Sequence, residues 1–192
     1  NGSEGIDAFL LPDSAPTAGG GLHYTVLVGA FFLLSCGFHF ANAFVWNGPY
    51  MRALAEQRAP YRWLEYFFSA SVMIVAIAYL CGMLFTLELF YLFALTSTTM
   101  LFGYLTEVVN RPCVCRDEWE LPLARRLLPH AFGWVPQLAA WTGIVYAFVG
   151  GSRGYDDERA PPDFVLYIVV SEILLFMMFA FVQIGVLLRP PS

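Results

Sequence analysis

Three ionisable side chains sit in sequence that is otherwise apolar, and any chemistry here starts from them. Glu65 falls in Tyr61-Arg62-Trp63-Leu64-Glu65-Tyr66-Phe67-Phe68-Ser69-Ala70-Ser71, within a turn of the start of an apolar run. Its carboxylate either meets headgroup water and Arg62 at the membrane interface, or turns inward as the acid of a buried pair. His39 lies in Gly37-Phe38-His39-Phe40-Ala41-Asn42, seven residues before the end of the preceding apolar run at Trp46. The connection between the two runs brings these ends together, so His39 and Glu65 share one half of the membrane. A histidine–carboxylate pair in a low-dielectric pocket holds a proton or a cationic ligand; otherwise His39 simply bonds a neighbouring helix. Glu172 lies eight residues into its apolar run, deep within Val165 to Val182. An unpaired carboxylate there costs roughly 2.5–3.5 kcal/mol on insertion. A protonated acid, a polar partner across the bundle, a ligand or a second chain are the ways to offset that cost.

The remaining polar groups are less telling. Glu107 and Arg111 have the i, i+4 spacing of a helical ion pair, and Glu88 reads as a solvated turn residue. Cys113-x-Cys115 with the distant His130 falls short of a zinc site, which wants four ligands and commonly CxxC-type spacing. Free thiols are the expectation. No HExxH or glycine-rich phosphate loop occurs, so metalloprotease and NTPase readings lack a motif. All ten basic residues are arginine. Without lysine, the 192 residues offer no Schiff-base amine, P-loop lysine or lysine base.

The elements that must carry these residues follow from composition. Charged residues make up 13% and hydrophobic residues 58%, with mean hydropathy +0.61. Soluble domains carry about 25% charged residues. The deficit excludes a disordered chain or a nucleic-acid binder and argues against a soluble enzyme. A span needs about 20 apolar residues, and five stretches qualify: about 22–46, 63–85, 90–109, 130–149 and 164–188. Together they define one transmembrane domain over 22–189, preceded by a polar arm over 1–21. Asn47-Gly48-Pro49 and a polar connection over 50–61 separate the first two spans. A tight turn over Thr86 to Leu89 makes the second and third antiparallel neighbours.

Five spans alternate sides, which sorts the arginines. Arg52, Arg58, Arg62, Arg111, Arg116, Arg125, Arg126 and Arg189 share one face; only Arg153 and Arg159 lie on the other. By the positive-inside rule the first group faces the cytosol, stroma or matrix, leaving the N-terminal arm outside or lumenal. Aromatics reach 17%. Trp46, Trp63, Trp134, Trp141, Tyr61 and Tyr66 fit interfacial belts. Phe31, Phe32, Phe38, Phe40 and Phe44 either face lipid or line a pocket for a polyene or chlorin ring.

At Arg62-Trp63-x-Glu65-Tyr66-x-x-Ser69-Ala70-x-x-Met73 the sequence resembles the third helix of heliorhodopsins, the inverted-topology relatives of microbial rhodopsins. Met100-Leu101-Phe102-Gly103-Tyr104-Leu105-x-Glu107-x-x-Asn110 resembles the end of their fourth helix. Phe132-Gly133-Trp134-Val135-Pro136 with Trp141 resembles the fifth, and Pro162-x-Phe164-Val165-x-Tyr167-Ile168 with Phe176-x-x-Phe179-Ala180 the sixth. The resemblance implies that Glu65 matches the counterion of a protonated retinal Schiff base, that His39 matches a pocket histidine, and that Ser69 belongs to the same site. Neither the family's first helix nor its lysine-bearing seventh is recognisable, and Glu172 stands where an apolar residue is expected.

The expectation is therefore an all-α, polytopic membrane bundle with five transmembrane helices, a rhodopsin-like remnant that is no enzyme. It carries no covalent cofactor and acts as a structural or accessory subunit beside other membrane proteins and lipids. Lipid, carotenoid or chlorophyll are candidate occupants, and retinal only where a further helix supplies the lysine. Candidate ligand-contacting residues are Glu65, His39, Ser69 and Glu172. The alternative is a fragment of a retinal-binding photoreceptor with Glu65 as counterion; Asn1 in place of an initiator Met fits either a processed or a cut chain.

Overall fold

The computed structural model describes residues 24–56, 58–110, 122–154 and 163–188. It is all-helical among them. Helix α1 spans Tyr24–Phe40 and runs on as a π-helical segment, Ala41–Val45; α2 is Asn47–Ala55, α3 Pro60–Leu80, α4 Thr86–Val109, α5 Leu123–Gly154 and α6 Asp163–Leu188. Five of them contain apolar spans of 22, 21, 24, 28 and 25 residues; only α2 does not. At 1.5 Å per residue these are about 32–42 Å long, enough to cross a hydrocarbon core of about 30 Å. The protein is thus an integral membrane protein built as a polytopic helical bundle. The expected arm over 1–21 lies outside the described residues.

Several boundaries differ from the sequence expectation, each for a local reason. Asn47-Gly48-Pro49, expected as a break, opens helix α2, which runs on into the connection over 50–61; Pro49 falls in its first turn, where a missing N–H costs nothing. Helix α3 begins at Pro60 rather than near Trp63, with that proline at its N-terminus. It stops at Leu80, not Phe85. Gly82 adopts φ +87°, Met83 N–H donates to Ala78 O at 3.0 Å and Gly82 N–H to Tyr79 O at 3.1 Å. These bonds form a Schellman stop hidden inside an apolar run. The turn therefore occupies residues 81–85, and Thr86 to Leu89 form the first turn of α4. Glu88 sits there at the positive end of the helix dipole.

Helix α5 starts at Leu123, well before His130, and runs through Pro129, Pro136 and Gly150. Prolines persist in membrane helices where neighbouring elements satisfy the freed backbone groups. Arg126, expected in a charged loop, lies in the first turns of α5 and ties three helix ends together. Its Nε donates to Asn110 Oδ1 at 2.9 Å, Asn110 Nδ2 returns a bond to Arg126 O at 2.9 Å, and Arg126 Nη2 donates to Leu187 O at 2.7 Å.

The centre of the bundle is α3, which packs against α1 on one side and α4 on the other. Its Ile74 to Tyr79 stretch is buried continuously, with Leu89, Leu92, Ala140, Ile144 and Val165 closing the core. Ser71 Oγ and Ser97 Oγ lie 2.9 Å apart across the α3–α4 interface, one hydroxyl donating to the other. Such bonds and small residues, rather than a hydrophobic drive, bring membrane helices together. Two tryptophans expected in the interfacial belt, Trp63 and Trp141, are buried at 4% exposure. Trp63 fits because residue 103 is glycine: a Cβ there would overlap the indole ring.

Gly103→Ala is therefore expected to destabilise the bundle by about 1–3 kcal/mol through overpacking. Gly150→Ala, with open space around it, should be neutral or mildly stabilising. Thermal unfolding of both variants in lipid nanodiscs checks the pair.

Candidate functional site

Glu65 lies in the second turn of α3, and its position is fixed from the turn before. The Glu107 carboxylate on α4 accepts from Ala59 N–H and from Trp63 Nε1–H, both at 2.6 Å. It thereby satisfies a backbone donor at the very start of α3, where helical partners are lacking, and holds the Trp63 ring over Gly103. Arg111, at the i, i+4 spacing from Glu107, lies outside the described residues; the two donors that use the Glu107 oxygens here are some 44 and 48 positions away in sequence.

With that turn fixed, Glu65 points inward and is 6% exposed. Arg62 faces outward, its guanidinium 5.7 Å from the Trp63 ring centroid. The interfacial reading of Glu65 gives way to the buried one. Ser35 Oγ donates to Glu65 Oε1 at 3.1 Å, and His39 Nε2 lies 3.6 Å from the same oxygen. Ser35 and His39 are four residues apart on α1 and share a face. The His39 side chain is itself 74% exposed, so the acid is enclosed and the imidazole sits at the rim. The two form an ion pair when the imidazole carries a proton.

Glu65 opens onto a cavity of about 270 Å³. Its walls are Phe31 and Ser35 from α1; Glu65, Tyr66, Ser69, Ala70 and Met73 from α3; Met100 from α4; and Glu172, Leu175, Phe176 and Phe179 from α6. A neighbouring cavity of about 200 Å³ shares Phe31, Met73 and Glu172 and continues towards Tyr24 and Leu80. The structure thus brings Glu65, Ser69 and Glu172 to one cavity, with His39 beside Glu65 outside the lining. Phe179 stands edge-on to Trp63 and Tyr66, with centroids 6.2 and 6.1 Å away.

Chemically this is an apolar chamber with two acids and aromatic walls. In a low dielectric, carboxylates attract any cation that enters, and the apolar walls favour a cation attached to a long hydrophobic body. No cluster of three metal-ligating side chains occurs among the described residues; Cys113 and Cys115 lie outside them. Of the two described histidines, His39 Nε2 faces Glu65 and His130 Nε2 accepts from Trp134 Nε1 at 3.3 Å. Sequence reasoning missed Ser35 and the role of Glu107. Ser35 had one available signal, its spacing of four from His39.

The sequence matches the family model described as Heliorhodopsin over residues 8–187. Comparison with curated proteins finds no match. The match covers nearly the whole sequence, and the chain belongs to the heliorhodopsin family.

Glu107→Gln replaces one acceptor oxygen by an amide donor and should cost about 1–3 kcal/mol, the loss from leaving a buried donor unpaired. Glu88→Gln, on an exposed first turn, should change stability far less. Denaturation midpoints give the comparison, and the Trp63 indole ¹⁵N–H resonance should move only in Glu107→Gln.

Proposed function

We propose that this chain supplies the counterion side of a chromophore site for a protonated retinylidene-type polyene, in a non-enzymatic, light-responsive membrane protein. The observation that carries this reading is Glu65, an enclosed carboxylate facing an apolar, aromatic-walled cavity with one histidine as its nearby basic partner. The residues present fit such a ligand: Glu65 faces its positive end, Ser35 and His39 hold the carboxylate in place, and Tyr66, Met73, Met100, Phe176 and Phe179 wall its apolar length. Bound retinal would supply light absorption and double-bond isomerisation. The covalent amine is the part not provided here, since the 192 residues include no lysine. A covalent bond therefore requires an amine from a helix outside this sequence.

Non-covalent capture can be tested without that helix. The protonated Schiff base of all-trans-retinal with n-butylamine is added to the full chain in nanodiscs. An absorption band displaced from that in empty nanodiscs, with induced circular dichroism, is the expected outcome. Glu65→Gln should shift or abolish the band. Identical spectra with and without protein would overturn the reading.

A second reading, a scaffold or accessory subunit holding lipid or carotenoid beside other membrane proteins, draws support from the two outer helices. Within the apolar spans of α1 and α6, the 18-residue apolar stretches are 6% and 11% buried, against 61% for that of α3. Such bare faces accept helices as readily as lipid. Purification in mild detergent should then recover stoichiometric partner subunits, whereas a monodisperse monomer counts against it. In both readings the end of the bundle bearing Arg52, Arg58, Arg62, Arg125 and Arg126 faces the cytosol or its organellar equivalent.

A further inference from the structure

Helix α2 is the described helix without a membrane span, and it joins the end of α1 to the start of α3. None of its residues lines the Glu65 chamber. At 1.5 Å per residue it is about 14 Å long, too short to cross the hydrocarbon core. Its residues divide into three faces. Tyr50 and Ala53, three apart, are half-buried against the bundle. The Tyr50 ring stands edge-on to Tyr61 of α3 with centroids 6.0 Å apart, and Trp46, just before α2, lies 5.6 Å from the same Tyr61 ring. Met51 and Leu54, also three apart, are 56% and 43% exposed, and they follow Phe40, Phe44 and Val45, all exposed at the end of α1. Arg52 and Glu56, four apart, form the charged face. One face on its own protein, one apolar face open and one charged face suit a helix that lies along a membrane surface.

The charges at this junction are not balanced by the protein. Glu56 is taken by Arg58, whose Nη1 lies 2.9 Å from Glu56 Oε2. Arg52 donates its Nε–H to Gly48 O at 3.4 Å, and the Arg62 guanidinium rests 5.7 Å from the Trp63 ring centroid. Neither arginine has an acidic partner among the described residues. Arg52 follows Tyr50 by two positions and Arg62 follows Tyr61 by one, so both belong to the α2–α3 junction that those rings hold together. A guanidinium matches phosphate oxygens with parallel N–H donors. Exposed apolar side chains beside it suit a ligand that carries acyl chains as well. A zwitterionic headgroup would bring its own cation up to two unpaired arginines, whereas an anionic one brings only the complementary charge.

We propose that the α2–α3 junction is a binding site for an anionic phospholipid of the leaflet at this end of the bundle. Arg52 and Arg62 take the phosphate, and Met51 and Leu54 lie against the acyl chains. The site rests on neither reading of the chamber: it needs no chromophore and no partner subunit.

The test uses the full chain in phosphatidylcholine vesicles with a trace of nitroxide-labelled lipid, either phosphatidylglycerol or phosphatidylcholine. Electron spin resonance reads the fraction of label immobilised against the protein. Labelled phosphatidylglycerol should associate at least about twofold more strongly than labelled phosphatidylcholine, and the double variant Arg52→Gln/Arg62→Gln should lose about half or more of that preference. Equal association of the two labels with the unsubstituted protein overturns the proposal by itself, whether or not the variant folds. A preference that the double variant keeps in full also overturns it, because the lipid is then held by other arginines.

Discussion

The structure depends on one carboxylate bonding to another helix. Glu107 on α4 takes the first free backbone donor of α3 and the indole of Trp63 at once. A carboxylate accepting two N–H bonds is among the stronger neutral-donor arrangements a membrane interior offers. Because Trp63 slots over Gly103, the bond fixes the rotation of α3 as well as its depth. Glu65 follows two residues later, so its inward direction is set by Trp63. The core sequence from Ile74 to Tyr79 then meets α4 and α5 in a single register.

The five spans were legible because length and apolarity suffice to define a membrane helix, and the chain leaves little ambiguity in either. The ends were less so. The Gly82 stop lies among Leu80, Cys81, Met83 and Leu84, where no polar residue marks a boundary. Helix α5 extends past the expected start because Arg125 and Arg126 read as loop, whereas Arg126 spends its charge on Asn110 and on the terminal carbonyl of α6. Its position at a helix C-terminus is where a cation is favoured. Trp63 and Trp141 read as interfacial since tryptophan usually is; what buries them is a glycine opposite one and a helix junction around the other.

Site residues divided along a similar line. Glu65, His39 and Glu172 stand out in sequence because ionisable groups are rare in hydrocarbon, and the cavity gathers two of them with the third at its edge. Ser35 and Glu107 do not stand out. Each acquires its meaning from a partner or a space created by packing, at sequence separations that no local pattern encodes. The same distinction separates what family resemblance carries from what it does not: it names Glu65, but not the contacts that aim it.

The two acids belong to walls of unequal firmness. Glu65, Ser35 and His39 all ride on α1 and α3, while Glu172 rides on α6, which has few packing contacts along its span and is clamped near its C-terminal end through Leu187 O. Val165 and Val169 near its start lie in the core as well, so α6 is held at both ends with Glu172 and Phe176 between them. The hydrogen bond and ion-pair contact at Glu65 come from α1 alone. The acidic anchor of the chamber is thus built without the wall that carries the second acid.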